Sequence, residues 1–169
     1  MKWIKIIFYL QILLYTGCTV KNEFQSAKVV KDGEEMLFGP VSAAQLFFDY
    51  PDWRIEYNNY QLDTTGISDW KNDSQLAVEI FFGTWCEDSQ REVPRFLKLN
   101  DGMNLIPKDS IALYAVDREK QLDNDLCRVR NITRVSTFIF YKSGREIGRI
   151  VEYPRVTLEK DIESIIEYK

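Results

Sequence analysis

Histidine is absent from this sequence. That one absence removes Ser-His-Asp and Cys-His nucleophile pairs, zinc–histidine sites and histidine general bases, which leaves carboxylates, thiols, hydroxyls and lysines for any chemistry. Cysteine is scarce as well. The three that occur, Cys18, Cys86 and Cys127, are far apart, and no CxxC pair exists to read as a zinc ribbon or a dithiol centre. Thiol chemistry is therefore monothiol unless two distant cysteines meet. A basic run is missing too, since 22 Lys and Arg stand against 26 Asp and Glu for a net charge of −4, and nucleic acid is not an expected partner. No internal repeat and no low-complexity tract is visible.

Long apolar runs are also lacking. The run from Ile6 to Tyr15, broken only by Gln11, falls well short of the roughly 20 residues that a membrane-spanning helix needs. Behind the short basic start Met1-Lys2-Trp3-Ile4-Lys5 it suits the core of a signal peptide over residues 1–17. Thr16-Gly17 then precede Cys18, and the stretch resembles the lipobox of bacterial lipoproteins, although Tyr15 stands where that pattern has Leu and Leu14 is next to it. The resemblance implies that Cys18 is lipidated, becomes the mature N-terminus and anchors the chain to a membrane outside the cytoplasm. Thr19 after the cysteine favours, in a Gram-negative cell, the periplasmic face of the outer membrane. An ordinary signal peptide, or an N-terminal anchor with an incidental cysteine, is the alternative. Residues 18–36, rich in Lys, Glu, Asn, Gln and Ser, read as a lipidated N-terminus and tether, and 37–169 as one folded domain.

Of the 169 residues 45% are hydrophobic and 14% aromatic, enough for a single sizeable core. Apolar spacing predicts a helix over Ser42 to Asp49, ended by Pro51. Trp53 to Tyr60 alternates with period two and reads as a strand. Thr64 to Lys71 fits a short helix. Leu76-Ala-Val-Glu-Ile-Phe-Phe82 is a central strand covered on both faces, and Ile111 to Val116 is a second. Between them Glu87 to Leu99 is helical, with Pro94 inside to kink it. Gln121 to Arg130 reads as a helix, and 137–141 with 146–151 as a hairpin around Ser143-Gly144. Thr157 offers an N-cap to a last helix whose first turn holds Glu159 and Asp161. The order describes an α/β fold with a mixed sheet.

Phe81-Phe82-Gly83-Thr84-Trp85-Cys86, lying between a buried strand and a helix, resembles the active-site segment of thioredoxin-fold proteins. Val135-Ser136-Thr137-Phe138-Ile139-Phe140-Tyr141-Lys142-Ser143-Gly144-Arg145-Glu146-Ile147-Gly148 is similar to the stretch around that family's cis-proline and following strands. The resemblance covers roughly residues 53 to 169. It implies a thioredoxin-like fold, a mixed central sheet flanked by helices, with Cys86 as the attacking thiol and no cofactor. The residue chemistry agrees, because a helix N-terminus stabilises a thiolate, and the thiolate is the species that attacks a disulfide sulfur. Glu87 and Asp88 oppose that stabilisation electrostatically. As adjacent helical residues they also make a poor acid/base couple for a hydrolase.

Two positions depart from the family pattern. Ser89 replaces the second, resolving cysteine, so a mixed disulfide on Cys86 persists until another thiol releases it. Ser136 replaces the cis-proline. A cis bond before a non-proline residue costs about 2.5 to 4 kcal/mol, which leaves the Val135–Ser136 peptide open between cis and trans. Cys127 reads as a small core residue. As a resolving partner it would have to approach Cys86 within about 7 Å between Cα atoms, and the family topology puts its helix on the opposite side of the sheet.

The sequence thus supports a membrane-tethered thiol-disulfide oxidoreductase or isomerase, a monomer acting on protein thiols or disulfides of the cell envelope. Trp85, Glu87, Asp88, Ser89, Val135 and Ser136 flank the Cys86 nucleophile. The alternative is a redox-inactive thioredoxin-like lipoprotein that binds a partner polypeptide through the same groove. Within that alternative, the missing proline leaves Cys86 open enough to ligate a metal or cluster.

Overall fold

A computed structural model describes residues 27–31, 33–63, 65 and 73–167. The signal peptide and lipidation site at Cys18 lie outside them, as does nearly all of the helix expected over Thr64 to Lys71.

The elements run β1 (Ala27–Lys31), β2 (Glu34–Val41), α1 (Ala43–Asp49), α2 (Pro51–Asn59), β3 (Leu76–Phe82), α3 (Glu87–Met103), β4 (Ile111–Ala115), α4 (Leu126–Val129), β5 (Thr137–Lys142), β6 (Arg145–Val151) and α5 (Leu158–Glu167). The six strands form one sheet in the order β1-β2-β4-β3-β5-β6. Among the described residues only β3 and β4 pair in parallel, and the other neighbours are antiparallel. The mixed sheet flanked by helices that the sequence implied is what forms.

Alternation along the central strands sorts the core into two layers. Val78, Ile80 and Phe82 of β3 and Phe138 and Phe140 of β5 face a large cluster with Leu46 of α1, Trp53 of α2, Phe96 of α3 and Ile162 of α5. Phe81 and Ile139 point the other way, into a smaller cluster with Val116, Cys127, Ile132 and Val135. Both faces of β3 and β5 are therefore buried, which is why these strands read as near-continuous apolar runs.

Several expectations are met closely. Ser42 caps α1, its hydroxyl accepting the Gln45 N–H at 3.1 Å, and the Thr157 hydroxyl accepts the Lys160 N–H at the start of α5. The β5–β6 turn falls at Ser143-Gly144, where φ is 50° and 77°, a left-handed pair that Gly144 adopts without steric cost.

Three expectations are corrected. Residues 53–60 are not a strand but most of α2, which starts on Pro51 with Asp52 in its first turn. A strand would have aligned Trp53, Ile55 and Tyr57. The helix instead turns Trp53 onto Phe82 (centroids 5.5 Å apart) and Tyr57 onto Phe47 (5.4 Å), while Ile55 stays 56% exposed. The tether expected up to residue 36 ends earlier, because from Ala27 the chain is already an edge hairpin with Met36 fully buried. Its charges had suggested an unfolded segment but are paired, Lys28 with Glu35 and Lys31 with Asp117. The helix expected over 121–130 shrinks to Leu126–Val129, because the Asn124 side chain accepts the Leu126 N–H and starts the helix there.

Candidate active site

The thiol sits where β3 hands over to α3. Cys86 is the N-cap of the 17-residue α3, with extended backbone (φ −105°, ψ 123°). Its carbonyl accepts the Gln90 N–H at 2.9 Å, the first bond of the helix, and its own N–H donates to the Gly83 carbonyl at 3.0 Å. The half-buried Sγ lies at the positive end of the helix dipole. It donates to the Val135 carbonyl at 3.3 Å. Residues 49 positions apart in sequence thus meet as the sequence implied.

Val135 is buried, and the Val135–Ser136 peptide is cis. Ser136 is fully buried: its hydroxyl donates to the Glu152 carbonyl at 2.9 Å, and its own carbonyl accepts the Glu152 N–H at 2.6 Å. Ser136 is thereby tied to the turn that follows β6. Exposed Tyr153 and Val156 lie just beyond that turn.

Ser89, which the resemblance puts in the resolving position, is also fully buried, and its hydroxyl accepts the Gly83 N–H at 3.2 Å. Glu87 is exposed on the outer surface of α3, and Asp88 pairs with Arg91 at 2.7 Å. The two carboxylates do not converge. Trp85 lies beside the thiol with its Nε1–H on the Val116 carbonyl at 3.1 Å. Gly83 is required beneath it, since a Cβ there would sit 2.4 Å from Trp85 Cε2.

Cys127 is buried in the smaller cluster, against which Cys86 and Trp85 also pack. Burial, followed by the nearby Asp117 charge, pushes its thiol up to about 11. Both cysteines are free thiols.

Some neighbours escaped sequence reasoning. Arg118 and Lys120 lie over the Trp85 ring, their cationic centres 5.0 and 5.5 Å from the ring centroid. No local pattern marks them, because the loop that carries them meets Trp85 only through the parallel pairing of β3 and β4. Thr84 accepts the Leu37 N–H at 3.3 Å and so ties the loop to β2.

No protein-family model matches the chain. Among curated proteins it is 29% identical over 87 residues to a thioredoxin-like protein of Acanthamoeba polyphaga mimivirus, covering 52% of this chain and 60% of that protein. It is 28% identical over 95 residues to thioredoxin H9 of Arabidopsis thaliana, covering 56% and 63%. The matches thus span somewhat over half the length of these relatives. Among solved structures, the reduced thioredoxin pre-protein of Schistosoma mansoni aligns with 28% identity and a TM-score of 0.41, over 57% of this chain and 81% of that one. The chain has a thioredoxin-like fold, with a cysteine capping the helix after the central strand, and the curated proteins it resembles are thioredoxins and thioredoxin-like proteins.

Proposed function

We propose that the chain is a membrane-tethered thiol-disulfide oxidoreductase or isomerase that acts on protein disulfides of the cell envelope through the single nucleophile Cys86. The observation that carries this reading is the placement of Sγ at the N-terminus of α3, half-exposed and 3.3 Å from the Val135 carbonyl. In the reaction the Cys86 thiolate attacks one sulfur of a partner disulfide. That S–S bond breaks, a Cys86 mixed disulfide forms, and the departing thiolate takes up a proton. With Ser89 in the resolving position, release falls to an external thiol or to a second cysteine of the partner.

The inward-turned hydroxyl of Ser89 also favours a second reading, a binding module that grips a polypeptide without exchanging electrons. Trapping separates the two. Incubation with insulin, quenching in acid and non-reducing electrophoresis should show an adduct that persists in Cys127→Ala and vanishes in Cys86→Ser. A chain that binds a partner equally well as Cys86→Ser and never forms the adduct is the binding module. The tether is tested by fractionation: Cys18→Ser should leave the membrane pellet, and retention there would make the apolar run itself the anchor.

A further inference from the structure

Trp85 is held from three sides. Gly83 lies beneath the indole, the Val116 carbonyl takes its Nε1–H, and Arg118 and Lys120 lie over its ring. Arg118 is itself fixed: Nε and Nη2 both donate to Glu34 Oε2, at 2.8 and 2.5 Å. The adjoining residue Asp117 accepts from Lys31 Nζ at 2.7 Å and from the Gln121 N–H at 2.8 Å. Lys31 ends β1 and Glu34 begins β2. The β2–β4 pairing reaches only Gly39 opposite Ala115, so these two residues lie on a hairpin tip that projects past the C-terminal end of β4. From there the hairpin contacts the loop next to the thiol.

We propose that Arg118, held by Glu34 of this hairpin, is a positioning residue for the Cys86 reaction: it clamps Trp85 in one orientation and keeps the surface beside the thiol preformed for a partner polypeptide. The proposal rests on the reading of Cys86 as the attacking thiol. A cation over an indole face is attractive, and the planar guanidinium can stack on the ring while its fork holds a carboxylate. A side chain ordered before docking need not be ordered by it, so the clamp should affect a large partner and not a small disulfide that needs only the thiolate.

The test compares two oxidants on the full chain, insulin and the uncharged 2,2′-dithiodipyridine, with Cys86→Ser as the baseline. In each case the Cys86 thiolate displaces one sulfur of the disulfide and forms a mixed disulfide. Arg118→Gln should slow adduct formation with insulin about two- to fivefold, the scale of one exposed cation–π contact, and leave the small disulfide unaffected. Glu34→Gln should act in the same direction, and Arg118→Lys, which keeps the charge but lacks the planar fork, should recover only part of the rate. An insulin rate unchanged in Arg118→Gln, or both rates lowered equally, overturns the clamp. A wild-type chain that reacts only with the small disulfide also overturns it. Reaction with neither removes the thiol reading itself and this role with it.

Discussion

Cys127 should make the domain lose stability in alkali, by an amount the structure sets. The side chain is 5% exposed among Phe81, Val116, Ile132, Val135 and Ile139. Burial and then the Asp117 charge push the thiol up to about 11 from an ordinary value of 9.0. Between those values the unfolded chain has released a proton that the folded chain retains, so stability falls as pH rises. Integrated from neutral pH to about pH 10, the loss is about 1.4 kcal/mol. Against the roughly 5 to 15 kcal/mol typical of a domain, that is a measurable fraction. Cys127→Ala should cost about 1 kcal/mol in packing near neutrality and abolish this part of the alkaline loss. The tyrosines that burial also pushes up, Tyr57, Tyr60, Tyr114 and Tyr141, are common to both proteins and cancel in the comparison. Urea unfolding with reductant at about pH 7.5 and pH 10 measures the difference, and parallel losses in wild type and variant would refute the reasoning. Native alkylation near pH 8 gives an independent check, since only about one Cys127 in a thousand is thiolate there. Rapid native labelling of Cys127 contradicts its placement.

Gly83→Ala puts a Cβ 2.4 Å from Trp85 Cε2, so the indole must leave the Val116 carbonyl. The domain should lose about 1 to 3 kcal/mol, and an unchanged thermal midpoint would show that Trp85 does not rest on that backbone. Burial alone would raise the Glu79 carboxyl, but the bonds from Arg130 and Tyr141 and the Arg130 charge outweigh it and hold it below its usual range. Its contribution is complete above the unfolded value of about 4.3 and fades as pH falls through the folded value, so Glu79→Gln should be less stable at neutral pH and flatter in acid. Thermal unfolding from about pH 7 down to pH 3 checks this, and identical acid slopes would count against it.

The parts of the fold legible in the sequence are those where a local signal and the tertiary burial agree. β3 is legible because both its faces are covered, and the β5–β6 turn because Ser143-Gly144 accepts the left-handed conformation. α2 fails because Trp53, Ile55 and Tyr57 satisfy period two by accident, and only the buried contacts with Phe82 and Phe47 reveal the helical period. The β1–β2 hairpin fails for a different reason. Its polar residues resemble a solvated tether, and the carboxylates that neutralise Lys28 and Lys31 include Asp49 and Asp117, which lie far along the chain.

The site divides along the same line. Cys86, Trp85 and Val135 are readable, since a cysteine after a buried strand and before a helix has few places to go. Ser89 is readable only as a missing thiol, and the structure gives it a second role. Its hydroxyl takes the N–H of Gly83, the residue whose missing side chain lets the Trp85 indole approach so closely. The loop that presents the thiol is therefore braced at one residue, by a buried hydroxyl on one side and an indole on the other. A sulfur at position 89 would be a weaker acceptor for that N–H. Serine at this position thus braces Gly83 more firmly than a thiol would, and its hydroxyl helps fix the loop that places Cys86 at the helix terminus.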